Sequence, residues 1–356
     1  MWWLKPINSR QRQHPLKDRP RANQHHEQFE KICQTAVINE LFDGPKTNCT
    51  DDANNQNPIK TESIATPLCS YGIVAIVQLP WKADAKLKQL RQTILNLAVR
   101  GKLVPQEPND ESASELLKRV AKEISSYSKE NGIAQVQLKP ISDDEVPYAA
   151  PHGWQWSRLG ALFRVITDGD HQPPPKTNEG VAFLTIGNIT TGRLDFSGCR
   201  YVPREYFKSL APYRTPAKGD ILYTVVGATY GRPALVETDR ELCVQRHIAI
   251  LKPTTAMELR YFVWLLASPL IYDQATHSTT GTAQPTIALR PLRNFIAPVP
   301  PVAEQHRIVS KVDELMALCD RLEASLAASA DFRSRLLDAL LAEALTPSAA
   351  KLEAAE

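Results

Sequence analysis

From Glu304 to Leu345 the chain reads EQHRIVSKVDELMALCDRLEASLAASADFRSRLLDALLAEAL, with no Gly or Pro. Ile308, Val312, Leu315, Cys319, Leu322 and Leu326 recur at 4-3-4-3-4 spacing. That is a heptad seam on one long helix. At ~1.5 Å per residue the helix is expected to be on the order of 60 Å long. A lone helix of that length needs a partner along its seam. A second apolar stripe, Leu87, Leu90, Ile94 and Leu97, follows 3-4-3 spacing and stops at Gly101. The two regions are related. Leu90-Arg91-Gln92-Thr93-Ile94-Leu95 aligns with Phe332-Arg333-Ser334-Arg335-Leu336-Leu337, and without a gap Ala98 meets Leu340 and Leu103 meets Leu345. A repeat on either side of a globular stretch predicts two related helices that pack together, with that stretch inserted between them.

The inserted stretch has another texture. Between Pro151 and Pro300, short β-rich runs (Val181 to Ile186, Asp220 to Val226, Ala234 to Val236, His247 to Leu251) alternate with Asp-Gly, Thr-Gly and Lys-Gly breakers. Glu258 to Ala267 reads as a helix. Ahead of it, Glu115 to Tyr127 carries Leu116, Leu117, Val120 and Ile124 on one face and closes at Asn131-Gly132. Residues 1–80 are polar and irregular, apart from a short amphipathic stretch at Phe29 to Phe42 and an apolar run at Tyr71 to Trp81. The division expected is 1–80 poorly structured, 81–128 helical, 129–150 linker, 151–300 mixed α/β domain, 301–345 long helix and 346–356 tail. The class is α+β.

Charge is unevenly spread. Residues 151–300 hold 16 Lys and Arg against 11 Asp and Glu, whereas residues 301–356 hold 6 against 10. The basic domain and the acidic helix therefore suit different partners. No run approaches 18 apolar residues, and no basic segment followed by an apolar stretch opens the chain, so no membrane span or secretory signal is expected. The six cysteines are scattered without a CxxC pair, which argues against structural zinc and for a reducing, cytoplasmic setting.

Cofactor and catalytic signatures are missing: no GxxxxGK[ST] loop, no G-x-G-x-x-G, no nucleophile elbow, no HExxH. Asp168, Asp170 and His171 straddle a glycine, which reads as a turn; a nuclease would need further carboxylates. The loops of the basic domain carry Lys176, Thr177, Arg193, Thr229, Tyr230, Arg232, Arg246, His247, Thr279, Thr280 and Gln284. Cations neutralise phosphates, Arg reads guanine bidentately, and Gln reads adenine. As a set these loops are candidates for a DNA surface; singly, each also fits a solvated loop.

The order of these parts resembles the specificity subunit of type I restriction-modification systems. Leu90 to Leu95, running on to Gly101-Lys102-Leu103-Val104-Pro105, resembles that family's central conserved helix. Pro151-His152-Gly153-Trp154 resembles the start of a target recognition domain. Thr167 to His171 with Phe183-Leu184 and Asn188-Ile189, then Lys218 to Leu222 with Gly227 to Gly231, then Gly281 to Gln284, are similar to its successive blocks. Pro300 to Gln305 with Arg307-Ile308-Val309 resembles the start of the distal conserved helix. The resemblance covers roughly residues 84–345.

The resemblance implies a non-catalytic subunit whose target recognition domain reads one half of a split site in double-stranded DNA. Its long helices would pair as an antiparallel coiled coil, set the half-site spacing, and dock methyltransferase subunits, with motor/nuclease subunits joining. S-adenosylmethionine, ATP and Mg would belong to those partners, with no cofactor or metal on this chain. The family usually carries two recognition domains, and one is visible here. The form is therefore half-length, and a homodimer or a second specificity chain would supply the other half. The competing readings are a coiled-coil scaffold without a DNA role and an inactive remnant.

Overall fold

The computed structural model describes residues 68–345 except 135, 172–173, 190–191 and 282–283. The amphipathic stretch expected at Phe29 to Phe42 and the 346–356 tail lie outside the described residues.

Helix α1 (Leu68–Val99) is followed by α2 (Ala113–Glu130). The backbone of α1 starts well before the apolar stripe at Leu87, so Tyr71 to Trp81, including Pro80, is helical. Helix α2 closes at Asn131, whose backbone N–H donates to the Tyr127 carbonyl, while the Gly132 N–H donates to that of Lys129. It buries Ala113, Leu116 and Val120, the face its periodicity marks.

The chain then enters the domain through β1 (Gln155–Arg158) and leaves it through β9 (Ile296–Val299). These two strands pair antiparallel, Gln155 opposite Val299 and Arg158 opposite Ile296. The domain is thus a closed insertion whose two ends meet. Arg158, 6% exposed, secures the junction. Its guanidinium donates to the Lys139, Pro140 and Asn294 carbonyls and to Glu145 at 2.6 Å. That guanidinium and the Ser142 backbone N–H hold the Glu145 carboxyl down at about 2.

Inside lie β2 (Phe163–Asp168), β3 (Val181–Leu184), β4 (Arg200–Val202), α3 (Arg204–Ser209), β5 (Ile221–Thr224), β6 (Pro233–Leu235), β7 (Leu242–Val244), β8 (Ile248–Pro253), α4 (Leu259–Leu266), α5 (Pro269–Ser278) and α6 (Leu289–Asn294). A four-stranded antiparallel sheet runs β2-β8-β5-β6; a three-stranded sheet runs β4-β3-β7, with β3 and β7 parallel. The four-stranded sheet is buried on both faces, and its period-two alternation sorts the side chains. Ile221, Tyr223, Ala249 and Leu251 face a core shared with the helices; Leu222, Ile248 and Ile250 face the second sheet. A third apolar layer, Val181, Phe183, Val202 and Cys243, packs under Tyr206 and Phe207 of α3.

Helix α7 (Val302–Leu345) has 44 residues, about 65 Å at the α-helical rise. Its seam is filled only part-way. Ile308, Val312, Leu315 and Cys319 are buried in one cluster with Leu87, Ile94, Leu95, Ala98 and Val99 of α1. Leu90 is partly buried beside them, and Leu97 is half-buried. Arg91, 5% exposed, crosses from α1 to Asp320 at 2.8 Å and Glu323 at 2.9 Å. Further on, Leu326 is half-buried, while Leu322, Phe332, Leu336 and Leu340 are exposed. Among the described residues no helix is long and apolar enough to cross a membrane.

Candidate nucleic-acid interface

The antiparallel order of the large sheet puts the ends of β2 and β5 beside the starts of β8 and β6. The loops that leave this edge are therefore neighbours, although they are far apart in sequence. Asp170 bridges to Gln245, and the Gln245 N–H donates to Leu184 at the end of β3. The Val225 N–H donates to the His247 carbonyl at 3.1 Å. Gly227 N–H donates to Pro285 at 2.9 Å, Val226 bridges to Thr286, and Thr280 exchanges two 3.0 Å bonds with Thr286.

Thr229, Tyr230, Arg232, Arg246, His247, Thr279, Thr280 and Gln284 thus come from three loops gathered at one end of the domain. Arg193 lies near the same edge: a Cβ on the preceding Gly192 would sit 4.0 Å from the Pro233 carbonyl. Lys176 and Thr177 are placed elsewhere, along the outer edge of β4, where Thr177 bridges to Tyr201. Arg193, Arg246, Thr280 and Gln284 are exposed; Thr229, Tyr230, Arg232, His247 and Thr279 are half-buried.

The hairpin between β5 and β6 is held from inside by Thr224, which is fully buried. Its hydroxyl donates to the Thr229 carbonyl at 2.6 Å and accepts from the Arg232 N–H at 3.0 Å. Arg246 Nε donates to His247 Nε2 at 3.4 Å. Burial, and then the Arg246 charge, push the His247 imidazole below its ordinary pKa.

Asp168, Asp170 and His171 are tied into the scaffold. Asp168 accepts from Arg214 at 2.9 Å and is 2.9 Å from His171, while Asp170 accepts from the Tyr206 hydroxyl at 2.7 Å. Gly169 is required: a Cβ there would lie 1.9 Å from the Val244 carbonyl. Among the described residues no group of three or more His, Cys, Asp or Glu side chains could hold a metal ion.

The opposite end of the sheet is locked to the helices. Glu123 of α2 accepts from the Thr255 backbone N–H and hydroxyl at 2.9–3.0 Å and pairs with Arg164 at 3.1 Å. Lys252 and Asp220 form a buried pair, and burial raises the Asp220 pKa against the pull of Lys252. Trp154 donates to the buried Glu304 at 2.8 Å, and Arg307 to Asp110 at 2.6 Å. Burial raises the Glu304 pKa.

Tyr272 on α5 was missed in the sequence. Its ring stacks on Tyr230 with centroids 5.6 Å apart and planes 7° from parallel. A helix there was signalled by Ser268-Pro269, an N-cap residue followed by proline at the first helical position.

The family model described as the type I restriction modification DNA specificity domain matches residues 151–329, half of the chain. The chain belongs to that family. It is 33% identical over 287 residues to the type I restriction enzyme EcoEI specificity subunit of Escherichia coli, covering 76% of this chain and 46% of that protein. It is 30% identical over 262 residues to the EcoAI specificity subunit of the same organism, covering 72% and 44%. The chain therefore spans about half the length of the curated relatives it matches. Among solved structures, the HsdS subunit from Thermoanaerobacter tengcongensis aligns with a TM-score of 0.42 at 20% identity, over 77% of this chain and 58% of that one. A chain from a type I R-M system aligns with a TM-score of 0.45 at 19% identity, over 76% and 59%. Membership places this specificity domain with the DNA-recognition components of such systems, not with the catalytic ones.

Proposed function

We propose that this chain reads one half of a bipartite double-stranded DNA target and docks methyltransferase subunits in a type I restriction-modification complex. The observation that carries this reading is the two-ended domain. One end gathers three loops rich in hydroxyl, amide and guanidinium groups; the other is fixed to the helices by ion pairs and a buried tryptophan bond. Cations on such loops bind phosphate, and base contacts made from a fixed frame give sequence preference. Helices α1 and α7 pair as an antiparallel coiled coil that spaces this domain from a second one. Arg91 meeting Asp320 and Glu323, while Trp154 lies beside Gly101 just past the end of α1 and bonds Glu304 at the start of α7, supports that direction. S-adenosylmethionine, ATP and Mg act on the partner subunits, and motor/nuclease subunits complete the complex.

The exposed distal face of α7 supports docking of another subunit there. Two-fold pairing of two copies would place two identical domains in inverted orientation, giving an interrupted palindrome as target. A second specificity chain would instead give two unrelated half-sites.

The test is selection of bound duplexes from a random pool by the chain copurified with its methyltransferase partner. The expected result is an interrupted motif with at least one fixed half-site. Retention of DNA without any enriched motif would refute base reading, and a coiled-coil scaffold would retain none.

A further inference from the structure

Tyr272 sits outside the loops that carry the other candidates, on the second turn of α5, and is 46% exposed. Buried Ile271 and Ala275 anchor α5 to the core, so the helix does not depend on the Tyr272 ring. The ring lies against the β5–β6 hairpin. It stacks on Tyr230, and one turn further along α5 Thr276 shares a 3.1 Å hydrogen bond with the Tyr230 hydroxyl. At the base of the hairpin loop is Gly231, with φ +83°, its N–H donating to the Thr224 carbonyl at 2.8 Å. A Cβ there would meet Tyr272 Cδ2 at 2.9 Å. Thr224 holds the hairpin from within, and Tyr272 clamps it from α5.

That hairpin carries Thr229, Tyr230 and Arg232. We infer that Tyr272 is a positioning residue for sequence selectivity: its ring fixes the hairpin so that these side chains meet base edges in one orientation. The inference rests on the DNA-reading role proposed above. It separates two properties of the same surface. Phosphate attraction depends on charge and tolerates a loosened hairpin; base readout depends on direction and does not. Loosening the hairpin should therefore cost selectivity while leaving non-specific affinity intact.

The experiment uses the full chain copurified with its methyltransferase partner. Probes are the duplex selected from the random pool and a shuffled duplex of equal length and composition. For Tyr272→Ala the preference for the selected duplex should fall on the order of tenfold, about the discrimination of one good base contact. Affinity for the shuffled duplex and its salt dependence should be unchanged. Tyr272→Phe, which keeps the ring, should restore the preference. Gly231→Ala, which strains the left-handed backbone of the hairpin and drives a methyl into the same ring, should reproduce the loss from the hairpin side.

Full preference retained in Tyr272→Ala or in Gly231→Ala would overturn the inference. Equal loss in Tyr272→Phe would overturn it too, since the hydroxyl and not the ring would then carry the selectivity. A wild-type chain that binds both duplexes equally would sink the DNA-reading proposal itself, a result distinct from the others.

Discussion

Residues 90–103 and 332–345 carry matching patterns and opposite fates. Ile94, Leu95, Ala98 and Val99 are at most 4% exposed, whereas their counterparts Leu336, Leu337, Leu340 and Leu341 are 38–55% exposed. Arg91 reaches across to Asp320 and Glu323; its counterpart Arg333 donates to the Ser329 carbonyl of its own helix. The difference lies in what stands opposite. The first segment has α7 and the start of the domain against it, and the described residues leave the second one's apolar face open. An apolar stripe states that a helix needs cover; it does not state which molecule provides it. Four leucines matching a buried face suit a surface of the kind that residues 90–103 meet in this chain.

The largest contrast should come from truncating matched leucines. Leu95→Ala is expected to destabilise the fold by about 2–5 kcal/mol, the range for a buried leucine, and Leu337→Ala by less than about 0.5 kcal/mol. Urea unfolding of the two variants measures this, and equal losses would break the comparison. Next comes Leu336→Asp with Leu340→Asp. Urea midpoints should stay near wild type, while native mass should show the second specificity unit lost; an unchanged complex would mean that this face is not the docking surface.

Arg91→Ala should cost about 1–2 kcal/mol, because Asp320 and Glu323 are partly solvated and the pair is worth less than a fully buried one. Arg333→Ala should be within about 0.5 kcal/mol of wild type. The smallest effect is a control away from both segments. Arg246→Ala should leave stability alone and reduce the slope of log affinity against log salt by about one; an unchanged slope would remove Arg246 from the DNA surface.

The helices were legible because 3.6-residue periodicity survives in a single sequence. Leu116 and Val120, or Ile308 and Val312, announce their faces by spacing alone. Strands were read less completely. The run Val181 to Ile186 yields a strand only to Leu184, because Thr185 bonds Asn188 and opens a 3-10 turn. Strands β1 and β9 were not singled out: each has four residues and β9 contains Pro298, and they pair only because the domain's ends meet. The gathering of three loops at one end follows from antiparallel register, which spacing does not encode. Lys176 and Thr177 were grouped with the others by chemistry, and the register sends them to a different edge. Tyr272 was hidden because its partner lies 42 positions away and α5 reads weakly.

The most direct test of the account is the native mass of the complex formed with the methyltransferase subunit. The account predicts two recognition units in each complex: two copies of this chain, or one copy with a second specificity chain. A stable complex holding one copy and no other specificity chain would contradict it.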